Sequence, residues 1–381
     1  MHGIKTNLLT TGARVIAAAA TAVIGLICTA TAAAGAPTTA LNEAFPLDTP
    51  VLVTDVRKAI GEAGTGGTLL PALEAIYDQC SPIVVVVRVA VDAEDQDAAT
   101  IGSAGDYSGL YALLAAESVT GFRPRVIGAP GLDTQAVTTA LGTVAGKLRA
   151  MVYAAAEGDT VAEVVTYRAN FSAREMMLIW PNWSNEFSGD AVARALGLRA
   201  RIDEETGWHK TLSNVAVGGV TGVSQSLFFD IQDPTTDVAA LNDAQITTLV
   251  RSPSGGFVYW GNRTTSAEPL FAFESAVRTS QILQDEIAAG LIWAADKPLT
   301  AFLVKDILET INARIRTLVV QQRLIGGRAW FDPALNDQAD LAAGKLVIDY
   351  EFTPAAPLEG LELNQRITDK YYADLSAQLA A

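Results

Sequence analysis

Cysteine and histidine are scarce in this chain, and each scarcity removes a class of chemistry. Two cysteines among 381 residues, Cys28 and Cys80, cannot build a disulfide framework and have no close His or Cys companions to hold a metal. Two histidines, His2 and His209, leave most general-base chemistry one internal candidate. Basic charge is also short: 27 Lys and Arg against 42 Asp and Glu give a net charge of −15, which repels a phosphate backbone. Nucleic acid is therefore not an expected partner.

The short motifs of catalysis are missing as well. Residues 142–148 approach a phosphate-binding loop but are one residue short and lack the hydroxyl after Lys147. Gly64-Thr65-Gly66-Gly67 fails the dinucleotide spacing. Gly222-Val223-Ser224-Gln225-Ser226 lacks the second glycine of a nucleophile elbow, and His209 precedes the serine. Asp92, Glu94, Asp95 and Asp97 alternate as in a calcium loop without its glycine or distant Glu, so they read as a solvated loop, as do Asp203-Glu204-Glu205. No catalytic residue, metal ligand or cofactor is expected.

What is present is apolar material for a large core: half the residues are hydrophobic and 18% are charged. Residues 15–36 carry no charge, follow Lys5 and Arg14, and contain Ala30-Thr31-Ala32, a pattern resembling an export signal. Val23-Ile24-Gly25-Leu26-Ile27 reads equally as a short buried strand. So much Ala and Thr gives little affinity for a membrane core, and no membrane insertion is expected.

Four further runs read as strands covered on both faces: residues 83–87, 125–129, 150–153 and 176–180. Helical stretches over 110–117, 134–149 and 160–171 supply the crossovers of right-handed βαβ units. After Gly197 the texture changes to charged, Gly-rich and Pro-containing segments, which suggests a domain transition. Gly255-Gly256 between residues 247–250 and 257–260 predicts a hairpin. Two long helices follow. In the second, Val304, Ile307, Leu308, Ile311, Ile315, Leu318 and Val319 share a face, opposite Lys305, Glu309, Asn312 and Arg316. Leu346, Ile348, Tyr350 and Phe352 alternate with Lys345, Val347, Asp349 and Glu351, and Leu361, Leu363 and Ile367 alternate in the same way, predicting a strand pair. Ile4, Thr6 and Leu8 alternate with Lys5 and Asn7 and predict a strand with no local partner.

The expected fold class is α/β: a parallel, doubly wound-like N-terminal core plus an α+β C-terminal domain with terminal β-strand arms. The expected divisions are an N-terminal linking arm over 1–20, an α/β domain over 21–225, an α+β domain over 226–344, and a strand pair with a C-terminal arm over 345–381.

Specific strings then become informative. Trp260-Gly261-Asn262-Arg263-Thr264 follows a hairpin strand and is preceded by Ser213-Asn214 and Gly219-Val220-Thr221-Gly222. With Arg123-Pro124-Arg125, Ala129-Pro130-Gly131, Val277-Arg278-Thr279, Val304-Lys305-Asp306 and Asp332-Pro333-Ala334-Leu335-Asn336, the chain resembles the sheath proteins of R-type pyocins and related contractile bacteriophage tails. The similarity covers nearly the whole chain. One departure is Trp208-His209-Lys210-Thr211-Leu212-Ser213-Asn214, where the family usually has a Ser-Pro-Ser-Asn stretch.

The resemblance implies a non-enzymatic subunit that polymerises helically around a rigid inner tube, with baseplate and tail terminator proteins at the ends. It implies assembly in the bacterial cytoplasm before release as a tail particle, and an apolar strand of the folded body at residues 15–36. It also implies terminal arms that add strands to a neighbour, assigning Ile4, Lys5, Thr6, Asn7, Leu8, Leu346, Val347, Ile348, Asp349 and Tyr350 to pairing between subunits. Trp260, Gly261, Asn262, Arg263 and Thr264 become structural motif residues. Lys305, Arg314 and Arg316, on a net basic helix of an acidic protein, become the expected tube contact. The competing readings are an α/β enzyme with its site near Pro130-Gly131 and Pro181-Asn182, and an exported surface protein that keeps the apolar run as a signal.

Overall fold

The chain's central strand is the apolar run near its start. The computed structural model describes Ile16 and residues 20–379; the expected strand residues Ile4, Lys5, Thr6, Asn7 and Leu8 lie outside the described residues. In chain order the first part runs β1 (Ile24–Thr31), α1 (Thr38–Ala44), β2 (Val51–Val53), α2 (Val56–Glu62), β3 (Gly66–Gly67), α3 (Leu69–Tyr77), β4 (Val84–Val89) and α4 (Gln96–Ile101). It continues through α5 (Ala116–Thr120), β5 (Val126–Gly128), α6 (Gln135–Leu148), β6 (Met151–Ala155), α7 (Val161–Arg168), β7 (Met176–Ile179) and α8 (Asp190–Glu205). Then come α9 (Asp237–Asp243) and the hairpin β8 (Ile246–Arg251) and β9 (Phe257–Trp260).

These strands form one sheet in the order β2-β4-β1-β5-β6-β7-β8-β9, with β3 on the end of β1. Strands β4, β1, β5, β6, β7 and β8 are parallel, and β2 and β9 add antiparallel edges. Side chains alternate between two layers because successive strand residues point to opposite faces. Ile24, Leu26, Val84, Val86 and Tyr153 pack under α3 and α8. Ile27, Val85, Val87, Val152 and Leu178 pack under α6 and α7. Each such fully buried side chain contributes about 1.5–3 kcal/mol, which is why these runs could be read so directly. The helices begin where capping chemistry allows: Thr134 caps α6, and Thr160 with Glu163 forms a reciprocal capping box on α7. The expected helix over 110–117 is instead a 3₁₀ turn, Gly109–Ala115, leading into α5.

Two expectations change. Asp203-Glu204-Glu205, expected on a solvated loop, are the end of α8, where Arg199 and Asp203 pair along the helix with both side chains fully buried. The sheet also continues past residue 225, since β8 pairs with β7 and carries β9 with it.

The remainder packs as a smaller body of α10 (Glu274–Leu291), α11 (Ala301–Val320), β10 (Leu324–Trp330), α12 (Gln338–Ala342) and β11 (Asp349–Pro354), followed by a short helix α13 (Tyr372–Leu379). Leu283, Ile287, Ile307, Ile311, Ile315 and Leu318 form its core, with Ile348, Tyr350 and Phe352 against them. The strand at Asp349 forms as expected, but its partner is β10, antiparallel, not residues 361–367. Those residues form no strand, and Leu361, Leu363 and Ile367 are 71%, 80% and 96% exposed. β10 escaped sequence reading because Leu324-Ile325-Gly326-Gly327-Arg328-Ala329-Trp330 holds two adjacent glycines and no alternation. No helix among the described residues is long and apolar enough to cross a membrane.

Candidate assembly site

The loop after β9 is where the large sheet, the smaller body and the C-terminal segment meet. Gly261 sits at φ +139, and a Cβ there would lie 2.8 Å from Thr247 Cα, so glycine is required for the strand to leave the sheet at this point. Its N–H donates to Ser213 Oγ at 3.1 Å. Asn262 C=O accepts the Glu274 N–H at 3.1 Å, which seats the first turn of α10. Thr264 donates through N–H to Ala272 O at 2.8 Å and through Oγ1 to Phe271 O at 2.7 Å. The Arg263 guanidinium lies 5.1 Å from the Phe273 ring centre and donates to both carboxylate oxygens of Glu359, at 2.8 and 2.5 Å. The hydrogen bonds to Glu359 hold Arg263 protonated above its ordinary range. Trp260, Gly261, Asn262, Arg263 and Thr264 therefore join the bodies through backbone geometry and one ion pair, and bring residues 355–359 across a cleft of about 430 Å³ beside His209 and Lys210.

Beneath the loop lies a buried ionic network that sequence reading did not find. Glu274, at the start of α10, accepts from Tyr153 Oη, from Arg199 at 3.2 Å and from the Leu212 N–H at 3.4 Å. Arg199 also pairs with Asp203 at 2.7 Å, and Asp203 in turn holds Arg278. Asp203, expected on a solvated loop, is thus at the centre of the network. Burial lowers the affinity of Arg199 for its proton, but the Asp203 and Glu274 carboxylates outweigh it and keep the guanidinium charged. Burial, then the Glu274 charge, pushes the Tyr153 hydroxyl well above its usual range, so it stays a donor. The signal available in the sequence was helical spacing: Arg199 and Asp203 stand four apart, as do Glu274 and Arg278. A second clamp joins Asp285 of α10 to Arg149, at 2.5 Å, and to Arg125.

The expected tube contacts separate. Lys305 and Arg316 are exposed, with Arg316 paired to Glu309 on the same helix. Arg314 is not free: it donates to Glu286 at 2.9 and 2.6 Å, with side-chain exposures of 11% and 0%, tying α11 to α10. Asn312, expected on the polar face, is half-buried and bonds β10. Among the pairing residues, Asp349 and Tyr350 lie in β11, Leu346 and Ile348 are half-buried against the helices, and Val347 has both backbone groups taken by Asn336. Among the described residues no group of three or more His, Cys, Asp or Glu side chains converges to hold a metal.

Comparison with known proteins agrees with this architecture. Residues 21–89 match the N-terminal region of domain III of the tail sheath protein Gp18, residues 105–265 the central domain of phage tail sheath proteins, and residues 266–368 their C-terminal domain. The chain belongs to the phage tail sheath family. It is 48% identical to the tail sheath protein of Escherichia phage P2, covering 98% of this chain and 97% of that one. It is 46% identical to the major tail sheath protein of Serratia phage KSP20, over 88% of each. The fold is that of the contracted helical sheath of the anti-feeding prophage, with a TM-score of 0.71, 17% identity, and coverage of 97% of this chain and 99% of that one. The protein is a structural subunit of a contractile tail sheath.

Proposed function

We propose that this subunit polymerises helically around a rigid inner tube and stores the energy of contraction in an extended lattice that repacks without nucleotide. The observation that carries the reading is the pairing of an incomplete two-stranded sheet with an exposed, alternating C-terminal segment: β10 and β11 are alone in their sheet among the described residues, while Leu361, Leu363 and Ile367 face water. Strand exchange between copies would satisfy both, and the N-terminal residues Ile4, Lys5, Thr6, Asn7 and Leu8 would supply a second donor strand. Main-chain hydrogen bonds of this kind persist while the attached bodies turn, so a lattice can change shape and stay connected. Assembly would take place in the host cytoplasm, with a baseplate at one end and a tail terminator at the other.

Negative-stain microscopy of the purified protein tests the reading: hollow sleeves are expected, and a monodisperse monomer at every concentration would overturn it. The exposed face of α11 is the proposed tube contact, reduced to Lys305 and Arg316. Reversing both charges should leave subunits that still form sleeves alone but no longer co-sediment with assembled tubes; undiminished co-sedimentation would discard that contact.

A further inference from the structure

Four arginines among the described residues are nine-tenths or more buried: Arg88, Arg194, Arg199 and Arg278. Three of them are paired with carboxylates, Arg194 with Asp78 and Asp190, Arg199 with Asp203 and Glu274, and Arg278 with Asp203. Arg88 is paired with none among the described residues. It belongs to β4, on the face that also carries Val84 and Val86, and reaches to α1 and the turn after it. Its Nε donates to Phe45 O at 2.5 Å, its Nη2 to Asn42 Oδ1 at 2.5 Å, and its Nη1 to Ala30 O at 3.5 Å.

Those three oxygens are neutral. They satisfy donors but do not balance a charge, and a buried charge without a counter-charge is among the costliest features a fold can carry. Burial accordingly draws the guanidinium below its ordinary proton affinity, whereas the two carboxylates beside Arg199 reverse the same penalty there. The thiol of Cys28, opposite Arg88 on β1, is held protonated by burial and supplies no negative charge.

The guanidinium borders a cavity of about 330 Å³ at the carboxyl ends of β1 and β4, the end of an open parallel sheet where ligand crevices lie. Thr31, Thr38 and Asn42 line it with Arg88, and so do Leu47 and Val91, which are 46% and 60% exposed. No Asp or Glu lines it, in a chain that holds 42 of them. Because Asn42 accepts from Arg88 through Oδ1, its amide nitrogen is left to donate. One fixed cation, with hydroxyl and amide donors around it and no competing carboxylate, is the chemistry that receives an oxyanion.

We propose that the cavity at Arg88 is a binding site for a small oxyanion group, a phosphate or a carboxylate, which supplies the counter-charge that Arg88 lacks. Two sources carry this chemistry: a free anion in solution, and an Asp or Glu side chain of a second copy in the assembled sleeve, where Leu47 and Val91 would give the contact an apolar surround.

Phosphorus NMR of millimolar phosphate tests the site, because a small ion exchanging onto a large protein broadens its line. Broadening is expected with free subunits of the unaltered chain, and sulfate, which presents similar oxygens, should reverse it. Arg88→Gln should lose it. Val91→Glu brings a carboxylate to the cavity from the chain itself, so it should lose the broadening and melt at a higher temperature. Ile231→Glu makes an equal charge change at an exposed position on the loop before α9 and should behave as the unaltered chain does. Undiminished broadening in Arg88→Gln or Val91→Glu, or none with the unaltered chain, would overturn the proposal. Should Arg88→Gln fail to fold, the comparison of Val91→Glu with Ile231→Glu decides. Assembled sleeves then identify the source: broadening lost on assembly assigns the anion to a neighbouring copy's carboxylate, and broadening retained assigns it to a free ion.

Discussion

A chain ended at Gly360 is expected to fold normally and to form no sleeves. The deleted segment begins with residues that are exposed throughout 361–372, so the core loses nothing and the loss of subunit stability should stay within about 0.5 kcal/mol. The ion pair of Glu359 with Arg263 remains, as do β10 and β11. What disappears is the alternating apolar segment that we propose each copy gives to the next. Thermal melts of the truncated and full chains should superimpose, while sedimentation velocity shows polymer only for the full chain. Sleeves of normal appearance from the truncated chain would refute the exchange of this segment.

The second large effect is expected at Glu274. Its fully buried carboxylate accepts from Tyr153, Arg199 and the Leu212 N–H, and with Asp203 it balances Arg199 and Arg278. Glu274→Ala leaves one excess buried positive charge and two donors without an acceptor, a loss of about 3–5 kcal/mol. Against a total stability of about 5–15 kcal/mol, that approaches unfolding at physiological temperature. Replacing Arg199 by Met and Glu274 by Leu together should cost clearly less than the sum of the single changes, because the uncompensated charge is then absent. Urea titrations of the unaltered protein, Glu274→Ala, Arg199→Met, Glu274→Leu and the double variant measure this directly. A Glu274→Ala loss below about 1 kcal/mol would mean that the network does not hold α10 against the sheet.

The strands buried on both faces were legible because both neighbours of such a strand are apolar layers, and β-branched runs such as Val84-Val85-Val86-Val87 have few other stable placements. The hairpin of β8 and β9 was legible for a different reason: Gly255 and Gly256, at φ +98 and +77, adopt turn conformations that other residues rarely take. Legibility failed for partners. Asp349 to Pro354 reads as a strand from its alternation, yet alternation says nothing about whether β10 or the later run will lie beside it. Charged residues failed in the same way. Arg314 and Arg316 differ by two positions on α11, which turns one toward Glu286 and leaves the other in water. Asp203 looks like its neighbours Glu204 and Glu205 until α8 packs and buries it against Arg199 and Arg278.

By itself, then, the order of residues determined the α/β class of the core and, through its strings from residue 123 to residue 336, the family, whereas the central place of the early apolar run among the buried strands came from the structure. Class and family depend on local periodicity and on residue types, which a chain carries wherever it folds. Only the tertiary structure decided that β11 joins β10, that Asn312 bonds β10, that Arg314 is held within the subunit, and that Glu274 closes a buried circuit with Arg199. Each of these depends on which group arrives within hydrogen-bonding distance from a remote part of the chain, and side-chain chemistry without position does not specify that.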